Sequence, residues 1–157
     1  MTTDVATVSP ETPAGEVASL MVERRAEGVP VVDGEGQLLG LITPDAFLRL
    51  LMPNRVRFLD VDLYLAPRRL HQELLREIAG LRAADIMTRS LPTVAQDAPL
   101  DQVIGLLGQP GVGQVPVVDG GRLVGIIQRM DVVRLFGGRT PGSGPAPSPS
   151  APEEEGP

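Results

Sequence analysis

The chain has 157 residues, of which 42% are hydrophobic but only 3% aromatic, so its core must be built from aliphatic side chains rather than rings. It carries no Cys, which excludes disulfides, thiolate metal sites and cysteine nucleophiles. Its formal net charge of −6 argues against a nucleic-acid backbone as the main partner.

The opening MTTDVATVSPETP has neither the basic segment nor the apolar run of a secretory signal. No stretch approaches the roughly 20 consecutive apolar residues of a membrane-spanning helix. A soluble, cytoplasmic protein with no membrane partner is the expectation. Thr7-Val8 opens a short extended segment. Thr12 then offers an N-cap and Pro13 a first helical residue, and Val17, Leu20 and Met21 share one face of the helix that follows. Val29 to Val32 is an apolar run closed by Asp33-Gly34, a turn signal leading into a strand from Leu38 to Ile42. A second amphipathic helix carries Phe47, Leu48, Leu50 and Leu51. This strand–helix–strand–strand–helix unit occupies residues 1–51.

Residues 52–84 are too many for a simple connection. Pro67 can open a helix there, with Leu70, Leu74 and Ile78 on one face and Gly80 as its stop. Such a helix covers an edge of the fold or a dimer seam, or else serves as a docking element. Residues 85–136 then repeat the first unit. A shift of 86 positions lays residues 1–34 on 87–120 with 13 identities, among them Met1-Thr2 on Met87-Thr88, Thr7-Val8 on Thr93-Val94 and Val29–Gly34 on Val115–Gly120. With one residue removed from the next turn, Leu38, Gly40 and Ile42 fall on Leu123, Gly125 and Ile127. Two copies at so long a period are a duplicated domain rather than a solenoid. A single copy of roughly 45 residues would bury too little surface to stand alone. Two copies packed about a pseudo-two-fold axis are therefore expected, an α/β (α+β) fold of paired β-α-β-β-α repeats. Residues 137–157, GGRTPGSGPAPSPSAPEEEGP, are low-complexity and expected to be disordered.

Other patterns suggest no chemistry. Gly108-Gln-Pro-Gly-Val-Gly113 runs helix, glycines, strand, the reverse of a phosphate-binding loop, and reads as a helix stop and turn. His71 is the only histidine, so one chain cannot assemble a His-based metal cluster, and the residue reads as a surface position. Ser9, Ser19 and Ser90 lack any nucleophile motif. No catalytic residue, no metal and no required cofactor are expected.

The repeated elements resemble the cystathionine-β-synthase-type (CBS) domain family. The family's opening Asp-Ile-Met-Thr stands as Asp85-Ile86-Met87-Thr88 and its Thr-Val strand as Thr93-Val94. Its Pro-Val-Val-Asp appears as Pro30–Asp33 and Pro116–Asp119, and its Gly-hydrophobic-hydrophobic element as Gly40-Leu41-Ile42 and Gly125-Ile126-Ile127. The resemblance implies a regulatory module rather than an enzyme. Its clefts bind adenosine-containing molecules: AMP, ADP or ATP, S-adenosylmethionine or NAD. It further implies a homodimer built through helical faces and a regulated partner protein of unknown identity. Such a cleft needs an apolar slot for a base, here Val115 and Pro116, and backbone groups at its edge, here near Leu91 and Thr93. The family places a hydroxyl and a ribose carboxylate in Thr/Ser-x-x-Asp after the Gly element. The two copies depart from it in opposite ways. Thr43-Pro44-Asp45-Ala46 keeps the hydroxyl and lacks the acid, whereas Gln128-Arg129-Met130-Asp131 keeps the acid and lacks the hydroxyl. Asp131 thus reads as a ribose acceptor or as a first-turn acid favoured by the helix dipole. Arg129 reads as a phosphate contact or a solvated cation, and Thr43-Pro44 as a site or an ordinary helix start. On this pattern the cleft of the second copy is the more complete.

Overall fold

The computed structural model describes residues 1–51 and 68–137, with side chains for 1–50 and 72–137. Pro67 and the segment before it, the His71 side chain and the tail from residue 138 lie outside the described residues. The first copy comprises α1 (Ala14–Arg24), β1 (Val29–Val32), β2 (Leu38–Ile42) and α2 (Pro44–Leu51). Then α3 (Arg68–Gly80) and α4 (Ala83–Ile86) lead into the second copy. That copy comprises β3 (Val94–Ala95), α5 (Leu100–Leu107), β4 (Gln114–Asp119), β5 (Arg122–Gln128) and α6 (Arg129–Phe136).

Helical spacing sets what each helix buries. Ala14, Val17 and Met21 of α1 face the first core, and Val103 and Leu107 of α5 the second. The start of α1 differs from the expected Thr12–Pro13 pair by one residue. Pro13 has an extended backbone and holds the N-cap position itself. The Thr12 hydroxyl instead accepts the Ser9 N–H at 3.1 Å, and the Ala14 N–H donates to the Leu81 carbonyl at 2.7 Å. That bond ties α1 to the chain just beyond α3. A Cβ on Gly15 would stand 3.2 Å from the Ala79 Cβ, so α3 packs closely on α1. The connecting helix thus packs against the first copy.

The middle strand of each copy contains a proline, which has no N–H to give a ladder. The bonding pattern accommodates it. The Val8 N–H donates to the Pro30 carbonyl and the Val32 N–H to the Val8 carbonyl, both at 3.0 Å, so this parallel bridge passes over the Pro30 nitrogen. Thr7-Val8, expected as a strand, contributes only that bridge, whereas its counterpart forms β3 and pairs in parallel with β4. On the other side Pro30 lies opposite Leu41, and Leu41 directs its N–H and C=O outward. Both find partners on Thr88, from the other copy, at 3.0 and 2.9 Å. The arrangement recurs about the pseudo-two-fold axis: Pro116 faces Ile126, whose N–H and C=O bond to Thr2 at 3.0 and 2.9 Å. The opening of each copy thus lies along the outer edge of the other's hairpin, joined to it by a single β-bridge.

Two glycines make room for this exchange. A Cβ on Gly40 would stand 2.7 Å from the Met87 Sδ, and one on Gly125 would stand 2.8 Å from the Met1 Sδ. The hairpin tips also meet across the axis, Leu38 N–H to the Gly121 carbonyl and Leu123 N–H to the Gly36 carbonyl, both at 3.0 Å. The one-residue difference between the copies lies in these tips. In the first, the Asp33 carboxylate accepts the N–H groups of Glu35 and Gln37, each at 2.9 Å. In the second, Gly120 and Gly121, at φ 55° and 86°, form a two-residue turn between Asp119 and Arg122. Two separate aliphatic cores result, centred on Val17, Val31 and Ile42 and on Val103, Val115 and Val117. Ala83 of α4 is buried in the first, so the lead-in to the second copy completes the core of the first.

Candidate ligand-binding cleft

A cavity of about 500 Å³ opens on the seam between the copies, within the roughly 300–1,000 Å³ range of small-molecule sites. The first copy contributes the start of α2, with Thr43, Pro44 and Asp45, then Arg49 a turn later and Glu27 ahead of β1. The second contributes Thr88 and Ser90–Pro92 before β3, Pro110–Gly113 before β4 and Gln114 at its start, and Arg129 at the start of α6. Leu91, Pro92, Pro110 and Val112 give the wall its apolar part, while two carboxylates and two guanidinium groups give it charge of both signs. The first turn of α2 adds the partial positive charge of a helix N-terminus.

Of the residues singled out in the sequence, Thr43, Pro44, Leu91 and Arg129 line this cavity. Thr43 immediately precedes α2 and Pro44 is its first residue, so the pair also starts a helix. Arg129 is held by its Nε–H to the Leu107 carbonyl at 3.2 Å and by its Nη2 to the Gln109 carbonyl at 3.4 Å. The first satisfies a carbonyl left over at the end of α5; the second shares the Gln109 carbonyl with the Val112 N–H, which donates to it at 3.2 Å. Thr93 is exposed, and Val115 and Pro116 are fully buried inside β4.

Gln128 and Asp131 are not part of this wall. The Asp131 carboxylate accepts the Gln128 N–H at 3.0 Å and pairs with the Arg134 guanidinium at 2.8 Å, closing the first turn of α6. The amino group of Met1 stands 3.9 Å away. The set expected in one cleft is therefore divided, and the exchange of openings is the reason. Met87-Thr88 runs along β2 and brings the Leu91 region to the start of α2, whereas Met1-Thr2 runs along β5 towards the start of α6. In α2 the positions of Asp131 and Arg134 are taken by Ala46 and Arg49. Ala46 is buried in the first core, where a carboxylate would be desolvated. Among the described residues Arg49 makes no ion pair, and it lines the cavity.

Glu27, Arg49 and Gln114 did not stand out in the sequence. Gly108–Gly113 is a helix stop and turn as read, with Gly111 at φ 81°, yet the same turn forms one wall of the cavity. The available signal was the repeat offset, which lays Glu27-Gly28 on Gly113-Gln114 and so marks one turn used twice. Among the described residues no helix is long and apolar enough to cross a membrane.

Residues 1–53 and 83–138 each match the CBS domain family. The chain belongs to that family. It is a tandem CBS pair. The CBS domain-containing protein CBSX1, chloroplastic, of Arabidopsis thaliana is 33% identical over 138 residues, covering 83% of this chain and 58% of that protein. The inosine-5′-monophosphate dehydrogenase of Mycobacterium leprae is 32% identical over 136 residues, covering 85% of this chain but 21% of the enzyme. The chain thus spans between about a fifth and three-fifths of the length of the curated relatives it matches. Among solved CBS structures, Arabidopsis thaliana CBSX2 in complex with AMP is 28% identical with a TM-score of 0.66, covering 87% of this chain and 91% of that one. Protein MJ1225 of Methanocaldococcus jannaschii is 29% identical with a TM-score of 0.72, covering 87% of this chain and 45% of that one.

Proposed function

We propose that this CBS pair is a non-catalytic regulatory module that takes an adenosine-containing ligand in the cavity between its copies and reports occupancy to a partner protein. The observation that carries the reading is the make-up of the cavity: both copies supply its walls, so a ligand there touches both. A ligand that favours one relative arrangement of the copies by about 1.4 kcal/mol shifts their equilibrium tenfold, and full switching takes about 5.5 kcal/mol. The apolar wall suits a base. Arg49, Arg129 and the α2 N-terminus suit a phosphate, and the Asp45 carboxylate can accept ribose hydroxyls. The AMP complex of the related CBSX2 supports the ligand class. Val133, Leu135 and Phe136 of α6 and Leu100 and Ile104 of α5 are exposed apolar residues, and they support a homodimer built through these helices.

The test is a thermal-shift titration with AMP, ADP, ATP, S-adenosylmethionine and NAD. A ligand at 100 times its Kd stabilises the fold by about 2.7 kcal/mol, a readily measured rise in melting temperature. If none of the five raises it at millimolar concentration, the ligand reading is refuted. A second reading, an interaction module whose nucleotide sites have decayed, is favoured by one observation: Ala46 stands where the family has its ribose carboxylate. It predicts the flat titration.

A further inference from the structure

We propose that Gln114 reads the edge of the ligand's purine base, an assignment that rests on the adenosine reading above. Gln114 opens β4 and lines the cavity. It is only 4% exposed, the one buried polar side chain among the described residues, and neither its Oε1 nor its Nε2 has a hydrogen-bond partner. A buried carboxamide left unsatisfied at both ends destabilises the protein, and a Met or Leu would fill the same volume without that cost. Packing alone therefore does not account for a Gln here.

Its surroundings separate it from the rest of the repeat. The offset that lays Val29–Asp33 on Val115–Asp119 lays Gly28 on Gln114. A Cβ on Gly28 would overlap the Gln114 Nε2 and stand 2.9 Å from its Cδ and 3.1 Å from the Ile42 carbonyl oxygen. The carboxamide thus crosses the seam and rests on the bare backbone of its own counterpart. Two glutamines could not share this place, and the duplication has lost its symmetry at the one buried polar position. The assignment requires the carboxamide to turn from Gly28, where both its polar atoms are buried, into the cavity that its residue already lines, a rotation between staggered side-chain wells. There it presents an acceptor and a donor side by side. Adenine presents the complement, its 6-amino donor beside a ring-nitrogen acceptor, as in the bidentate pairing of Gln with that base. Binding gives the carboxamide the partners it otherwise lacks.

The experiment compares AMP with purine riboside 5′-monophosphate, the same molecule without the 6-amino group, by calorimetric titration of the full chain and of Gln114→Met. The wild type should prefer AMP by about tenfold, the scale of one hydrogen bond to a buried group. In Gln114→Met that preference should vanish, while the ligand-free variant melts higher than the wild type. A structural role would move the melting temperature in the opposite direction and leave the preference intact, and either result overturns the proposal. Should the variant not fold, the wild type still decides: equal affinity for the two nucleotides refutes the assignment of Gln114. Tight AMP binding with an unchanged preference in the variant removes Gln114 alone, whereas no binding of AMP by the wild type removes the adenosine reading with it.

Discussion

Gly40→Ala places a methyl group at the point where the two copies interlock. The new Cβ would stand 2.7 Å from the Met87 Sδ, 2.9 Å from its Cγ and 2.9 Å from the Thr88 carbonyl oxygen. The Met87 side chain can turn aside. The Thr88 carbonyl cannot, because it accepts the Leu41 N–H at 3.0 Å while the Thr88 N–H donates to Leu41 at 2.9 Å. Restoring a normal carbon–oxygen approach of about 3.3–3.6 Å moves the Met87-Thr88 segment by about half an ångström. That strains two hydrogen bonds, each worth about 1 kcal/mol, on top of an overpacking cost of about 1–3 kcal/mol. Ala also gains about 0.4–1 kcal/mol over Gly through the unfolded chain, which offsets much of the hydrogen-bond strain. We therefore expect a net loss of about 1–3 kcal/mol, a fall in melting temperature of roughly 4–12 °C for a folded body of this size. Urea and thermal unfolding measure it, with Gly34→Ala as the control. Gly34 has nothing within 4 Å of an added Cβ, so Ala there should be neutral or stabilising by about 0.4–1 kcal/mol. Adding Met87→Ala to Gly40→Ala should recover the part of the loss that comes from the thioether, since contacting residues couple by about 0.5–3 kcal/mol. If Gly40→Ala unfolds within about 0.5 kcal/mol of the wild type, as an ordinary surface change would, the exchanged openings do not hold the copies together.

Four further outcomes are expected. Ile42→Ala, at a fully buried site of the first core, should cost about 2–5 kcal/mol in urea unfolding. Asp131→Ala removes the acceptor for the Gln128 N–H and the partner of Arg134, and should cost about 0.5–2 kcal/mol while leaving the AMP-induced thermal shift unchanged; loss of that shift would assign Asp131 to the ribose. Arg49→Ala should weaken AMP binding more than adenosine binding in calorimetry, and an equal effect on both would place the phosphate elsewhere. Phe136→Glu, at a residue 87% exposed, should convert a dimer to a monomer by light scattering, and an unchanged mass would exclude α6 from the interface.

The element order was legible in the sequence because each copy repeats the same apolar spacing. Val17 and Met21, like Val103 and Leu107, lie on one helical face, and the Pro-Val-Val-Asp runs mark the middle strands. The exchanged openings were not legible. Met1-Thr2 and Met87-Thr88 are too short to carry a period, and only the through-space pairing of Thr2 with Ile126 and Thr88 with Leu41 gives them a place. The same exchange explains how the cleft reading was redistributed: Leu91 and Thr43 meet in space although they belong to different copies. Gln114 was overlooked because a polar residue beside Val-Pro-Val reads as a strand edge, and its burial depends on Gly28 in the other copy.

The pairing of Thr88 with β2 and of Thr2 with β5 also bears on how the chain acquires its structure. Contacts so distant in sequence are closed late, and they slow folding relative to a protein of local contacts. During synthesis the β2 edge stays open until Thr88 has emerged, and Thr2 has no partner until β5 is made. A hydrophobic strand edge left open over that interval invites pairing with another nascent chain. The exchange that binds the finished pair thus makes its half-made form the state most exposed to aggregation.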